Sequence, residues 1–189
     1  MTQRIETERL VLRPWEDRDR DLFFEINSDP QVMEFFPFRR TREQSDAFLD
    51  TLMRDQRERL IFPAAELRGT GEVVGFCGLH QGHVEPVFPW GTIEVGWRLA
   101  ARHWSNGYAT EGALAALDHG FAELGLPEIV SFAVRDNRRS TAVMERIGLR
   151  RDAANDFDHP NIPDTHPHLK RHVCYRITAE EWAKRKGDR

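Results

Sequence analysis

Between Thr92 and Leu124 an alternating strand pattern, a polar glycine turn and an alanine-rich helix pattern follow one another without a break. Ile93, Val95, Trp97 and Leu99 share one face of the strand; Thr92, Glu94, Gly96 and Arg98 share the other. The turn reads Arg102-His103-Trp104-Ser105-Asn106-Gly107-Tyr108-Ala109-Thr110-Glu111. The helix runs from Tyr108 to about Leu124 with a stripe of Ala109, Ala113, Leu114, Leu117, Phe121 and Leu124, and Gly125 and Pro127 stop it. Such a turn leaves backbone N–H groups unpaired. The helix dipole adds partial positive charge there. It therefore suits a phosphate or pyrophosphate, with Arg102 able to add a full charge. An ordinary solvated helix cap fits the local pattern equally well, since one glycine is a weak motif.

The rest of the chain sorts around this unit. Leu10-Val11-Leu12 reads as a strand ended by Pro14, and Asp17 to Ile26 as a helix broken by Asp29-Pro30. Thr41-Arg42-Glu43-Gln44 has the form of a capping box, opening a helix to about Glu58 with Ala47, Phe48 and Leu52 inward. Leu60 to Leu67 and Val73 to His80 flank the turn Arg68-Gly69-Thr70-Gly71 as a hairpin. Pro86 to Gly91 reads as an irregular connection. Ile129 to Val134 is a strand buried on both faces. Asn137 caps a helix with Ala142, Val143, Met144 and Ile147 inward and Gly148 at C′, and a short strand follows near Leu149 to Asp152. Asn155 to Leu169 reads as a long loop, His172 to Ile177 as the last strand, and Thr178-Ala179-Glu180-Glu181 as a second capping box. Strands and helices in this order predict one α/β domain over 1–189, layered around a mixed sheet.

The composition excludes several classes. A net charge of -4 argues against a nucleic-acid or anionic-membrane partner. The opening Met1-Thr2-Gln3-Arg4-Ile5-Glu6 has no apolar run, and no long apolar segment occurs, so the expected location is cytoplasmic. Cys77 and Cys174 lie in strand contexts without Cys-x-x-Cys spacing and read as buried thiols.

Four sets of residues could carry chemistry. Glu94 is a carboxylate close in sequence to the turn: a general base if burial raises its pKa, a cross-strand ion pair otherwise. Asn137 and Ser140 are a helix cap and its first turn, and become functional only if they face the same cleft as Glu94. His159, His166, His168 and His172, with Asp156, Asp158 and Asp164, could bind a transition metal, but their spacing matches no ligand grid, and a loop lining a substrate pocket is the preferred reading. Phe35, Phe36, Phe38 and Trp90 are either core under loops or an apolar wall for a substrate.

Three motifs in register resemble one family. Thr7-Glu8-Arg9-Leu10-Val11-Leu12-Arg13-Pro14, then Glu94-Val95-Gly96-Trp97-Arg98-Leu99 with Trp104-Ser105-Asn106-Gly107-Tyr108-Ala109-Thr110-Glu111, then Asn137 to Leu149, are similar in order and spacing to the GNAT superfamily of acyl-CoA N-acyltransferases. The likeness is to the branch of ribosomal-protein-alanine N-acetyltransferases (RimJ/RimL-like). It implies a GNAT fold with a mostly antiparallel sheet, acetyl-CoA as donor, an amine-bearing small molecule or peptide N-terminus as acceptor, and no metal. By the same resemblance the turn from Arg102 through Ser105, Asn106 and Gly107 to Tyr108, Ala109 and Thr110 holds the pyrophosphate. Ser105 stands where a glycine is usual and can serve if its φ is negative. The backbone of Trp97, Arg98 and Leu99 pairs with the pantetheine arm, and Asn137 and Ser140 face its thiol end. Glu94 is the implied base, a strand N–H near Trp97 stabilises the oxyanion, and Ser140 assists the thiolate. Phe157 to Leu169 and Asp29 to Arg40 are placed to bind the acceptor. Two other classes stand beside this reading: an acyl-CoA sensor without a base, and a metal-dependent hydrolase built on the histidines. Monomer and homodimer both remain open.

Overall fold

The computed structural model describes residues 4–187. Residues 1–3, part of the opening read above as lacking an apolar run, lie outside them. Nine strands form one sheet: β1 (Ile5–Glu6), β2 (Leu10–Arg13), β3 (Ala64–Leu67), β4 (Val73–Val84), β5 (Phe88–Leu99), β6 (Glu128–Val134), β7 (Arg150–Arg151), β8 (Phe157–Asp158) and β9 (Arg171–Thr178). Their order is β1-β2-β3-β4-β5-β6-β9-β7, with β8 also on β9. All neighbours are antiparallel except β5 and β6. The helices are α1 (Arg20–Ser28), α2 (Arg42–Asp55), α3 (Tyr108–Ala122), α4 (Arg138–Arg146), α5 (Pro167–Lys170) and α6 (Ala179–Gly187). Among the described residues no helix is long and apolar enough to cross a membrane.

The main core lies on one face of the sheet, where Leu10, Val95, Ile129 and Ile177 meet Leu117 of α3, Met144 of α4 and Trp182 of α6. Each fully buried aliphatic side chain of this kind stabilises by about 1.5–3 kcal/mol. The buried face of α3 is narrower than the stripe expected: Gly112, Ala113, Ala116, Leu117 and Gly120 touch the sheet, while Leu114, Phe121 and Leu124 are only partly covered. Small residues bring the helix close. A Cβ on Gly112 would stand 2.9 Å from Cys77 Sγ, and one on Gly120 2.8 Å from Ile129 Cδ1.

The other face carries two separate clusters. Under α1 and α2, Trp15, Phe23, Ile26, Leu49 and Ala64 form one; Val84, Phe88, Val130, Phe157 and Cys174 form the other. The capping box at Thr41 forms with both reciprocal bonds, but α2 buries Ser45 and Leu49, one step round from the face expected. Arg13 and Asp19, both about 2% exposed, make a two-pronged ion pair at 2.8 Å that ties β2 to the start of α1.

Three boundaries differ from those read in the sequence. β5 begins at Phe88, so the stretch around Pro86 to Gly91 is largely strand; Pro89 and Trp90 are exposed there, where a proline costs no buried ladder bond. β3 starts only at Ala64, because Pro63 lacks an N–H, although Leu60 and Pro63 still accept bonds from Gln81 and Cys77. The 155–169 segment is shaped by β8 and α5 rather than being one long loop. Both cysteines are buried free thiols.

Candidate active site

The parallel pair β5 and β6 opens almost as soon as it forms. Glu94 is in register with Val130, and no further pair follows, while β6 keeps its full ladder with β9 from Glu128↔Thr178 to Val134↔His172. The last turn of β5 therefore has a bare edge. Ala100 N–H donates to Val74 O, and the Arg98 carbonyl points at Gly75, so both face β4. Alternation turns Trp97 and Leu99 to the bare edge. The Leu99 carbonyl there accepts from the Trp104 indole at 2.9 Å, which among the described residues leaves the Trp97 N–H and carbonyl and the Leu99 N–H open. The Arg98 main chain belongs to the β4 ladder, so of the three residues whose backbone the resemblance gave to a pantetheine arm, Trp97 and Leu99 are the two that face the bare edge.

The glycine turn follows at the same end of the sheet. Gly107, at φ 80, is the N-cap of α3, and Ser105 has φ 63. The negative φ set as the condition for a serine at 105 is not what forms: the turn takes the left-handed region at both residues, at a cost of about 1–2 kcal/mol for the serine. Among the described residues no backbone N–H from Ser105 to Thr110 finds an acceptor; the next, Glu111, donates to Gly107 O. Ser105, Asn106 and Gly107 are exposed. Successive N–H groups in such a curl, backed by the helix dipole, form an anion cradle.

The amino-terminal motif clamps this turn. Glu111 accepts from Thr7 Oγ1 at 2.6 Å and from Arg9 through its N–H at 2.8 Å and its Nε at 2.6 Å. Arg9 also donates to Asn106 O at 2.9 Å and stacks on Tyr108 at 4.8 Å. Burial pulls the Glu111 pKa up, but these hydrogen bonds outweigh it and hold it below its ordinary value. Arg102, at the head of the turn, bonds Glu25 and reaches Glu72 at 3.5 Å, which fastens the turn to α1 and the start of β4.

Glu94 stands between the two clusters of the second face and belongs to neither. It has no hydrogen bond or ion pair among the described residues, and burial pushes its pKa up to about 8. Oε1 leans along the strand, 3.5 Å from where a Cβ on Gly96 would sit. Its cross-strand neighbour is His80, stacked on Phe62 at 4.8 Å. The buried Nδ1 of His80 has no partner, and burial, with repulsion from Arg59, holds the ring neutral with a pKa of about 4. Sequence reading missed His80; only the β4–β5 register places it beside Glu94.

Asn137 caps α4 by accepting from Ser140 N–H at 3.1 Å, and the Ser140 hydroxyl has no partner among the described residues. Both follow directly on β6, across the opening from the glycine turn. Arg139 spans that opening: it stacks on Trp104 at 4.4 Å and bonds Glu34 at 2.6 Å. On the far side Phe157, His159 and His172 pack against Phe132 as an aromatic wall, with burial lowering the His159 pKa to about 4 and that of His172 as well. Among the described residues no three His, Cys, Asp or Glu side chains gather as a metal set.

Residues 9–150 match the model of the acetyltransferase (GNAT) domain. The chain belongs to this family. The GNAT chain is 32% identical over 181 residues to the N-acetyltransferase YnaD of Bacillus subtilis, covering 94% of this chain and 98% of that one. It is 33% identical over 148 residues to YkkB of the same organism, covering 77% and 84%. Among solved structures it resembles a GNAT-family acetyltransferase from Bacillus anthracis, with a TM-score of 0.78 and 29% identity over 94% of this chain and 99% of that one. It is an acetyl-CoA-dependent N-acetyltransferase.

Proposed function

We propose that acetyl-CoA lies in the opening between β5 and β6 and that its acetyl group passes directly to a primary amine held over Glu94. The observation that carries this is the run of unpaired N–H groups from Ser105 to Thr110 beside a bare strand edge. The cradle fits a pyrophosphate, and the open Trp97 and Leu99 groups fit an extended amide-bearing arm. Acetyl-CoA supplies a thioester already activated toward an amine. Arg102 supports the cradle through Glu25 and Glu72, and Arg98 contributes its side chain rather than its backbone.

The chain's own residues then do four things. Glu94, uncharged below about pH 8 and charged above it, takes a proton from the acceptor ammonium, directly or through a water. The Trp97 N–H points to the side where negative charge develops on the acetyl oxygen. The free Ser140 hydroxyl donates toward the departing sulfur. Arg139, stacked on Trp104 and paired with Glu34, ties the two lips of the opening, and holding the partners there itself supplies much of the acceleration. The acceptor enters between the 29–40 segment and the aromatic wall of Phe157, His159 and His172. A peptide N-terminus, as for the RimJ/RimL-like branch, and a small amine both fit this entry. The setting we infer is cytoplasmic, consistent with two buried free thiols.

The test is release of coenzyme A thiol in the presence of a panel of amines. Ser140→Ala is expected to lower kcat about three- to tenfold with the acetyl-CoA KM unchanged, as for loss of one hydrogen bond to a developing charge. Tight coenzyme A binding without turnover of any amine would favour the sensor reading.

A further inference from the structure

Two arginines in the acceptor half of the cleft sit together without a carboxylate. Arg98 points from β5 to the same face as Glu94. Its guanidinium lies over Phe36 at 4.2 Å and Phe76 at 5.4 Å and donates a single bond, from Nη1 to Asn27 Oδ1 at 2.8 Å. Asn27 is buried and fixed by its own bond to Phe23 O at 2.7 Å. Arg40 ends the 29–40 segment, tied to the same residue by its N–H to Asn27 O at 2.9 Å. Its guanidinium lies over Phe48 at 4.4 Å and Phe38 at 5.1 Å, and its Nε is buried with nothing to donate to. Neither arginine joins an ion pair among the described residues, although Arg13, Arg20, Arg42 and Arg139 all do. Burial lowers the pKa of both, that of Arg98 to about 10 with Arg40 adding to the effect.

A guanidinium offers five N–H donors and does not give up its proton in proteins. Two of them, one using a single donor and the other none of its side-chain donors, leave a concentration of positive charge that the fold does not balance. We propose that Arg40 and Arg98 form an anion subsite, so that the acceptor is an amine carrying its own carboxylate or phosphonate, an amino-acid-like molecule rather than a polyamine or aminoglycoside. This rests on the acetyl-transfer reading above. Glu94 and Arg98 lie on one face of β5, the Glu94 carboxylate leaning toward Gly96 and Arg98 one alternation beyond that glycine, about 7 Å further along the strand. Arg39 and Arg40 also line an open groove of about 530 Å³ against the 44–51 stretch of α2.

Matched acceptors test this. Coenzyme A release is compared for L-amino acids, β-alanine and 2-aminoethylphosphonate against the corresponding amino amides and putrescine. The acids are expected to exceed their amides by about tenfold or more in kcat/KM, the worth of a hydrogen bond to a charged group. Arg40→Met should bring that ratio down to about threefold or less, and Arg40→Lys should keep most of it. Preference for β-alanine over 2-aminoethylphosphonate, or the reverse, identifies the anion. Binding of N-acetylglycine against N-acetylglycinamide with coenzyme A, measured by calorimetry, reads the same preference without turnover. If the acid product binds better while no amine reacts, the transfer reading falls and the subsite stands. If amines react with acid and amide alike, or putrescine is best, the subsite is overturned and the transfer reading stands.

Discussion

Glu94 is a carboxylate without a partner, and the consequences reach beyond catalysis. Its ordinary pKa of 4.5 rises to about 8 in the folded protein through burial. The native state then holds the proton more tightly than the unfolded chain. Stability from this group is therefore greatest below about pH 4.5 and is lost as pH rises toward about 8. Glu94→Gln removes the dependence. The variant is expected to melt close to the wild type near pH 5 and clearly above it near pH 9, by differential scanning calorimetry. A difference that does not change with pH would mean that burial does not hold the proton on Glu94. Single residues were unevenly legible in the sequence. Asn137 announced itself because capping is a local interaction with a local signature. Glu94 could be placed on its strand face beside Gly96, but its lack of a partner among the described residues depends on His80 and Phe62, which only the tertiary fold brings alongside.

Among the elements, the turn between β5 and α3 depends most on distant chain. Its cradle is held by Glu111, whose two oxygens take bonds from Thr7 and Arg9 on the opposite end of the sequence. Glu111→Ala is expected to destabilise the fold by about 1–3 kcal/mol by leaving the Arg9 and Thr7 donors unmet. It should also raise the acetyl-CoA KM more than it lowers kcat; chemical denaturation and initial-rate kinetics check the two parts. Ser105→Gly acts oppositely. Relief of a left-handed serine is expected to stabilise by about 0.5–1 kcal/mol, less than the full strain because glycine loses more freedom on folding. The alternation of β5 and the capping boxes at Thr41 and Thr178 were readable because their periods and spacings are intrinsic to the chain. The buried face of α3 was not. Periodicity points to the largest apolar residues, whereas Gly112, Ala116 and Gly120 are chosen by how near Cys77 and Ile129 stand. The same holds for α2, where Leu49 and Ser45 are selected by contact with α1 rather than by the local pattern.

At the scale of the whole molecule, one break in an otherwise continuous sheet organises the function. β5 and β6 part after Glu94, and everything assigned to the reaction lies along that break: the cradle and Trp97 on one lip, Asn137 and Ser140 on the other, Glu94 where the two strands meet. The pH dependence of coenzyme A release, for the wild type and Glu94→Gln at saturating acetyl-CoA, tests this arrangement most directly. The expected wild-type kcat/KM for the acceptor climbs with pH and levels above about pH 8, and Glu94→Gln lowers it about 10²-fold or more, removes the Glu94 part of that rise and leaves the acetyl-CoA KM within about threefold. An unchanged profile in the variant, its rise set by the acceptor amine alone, would contradict Glu94 as the proton acceptor at the head of the break.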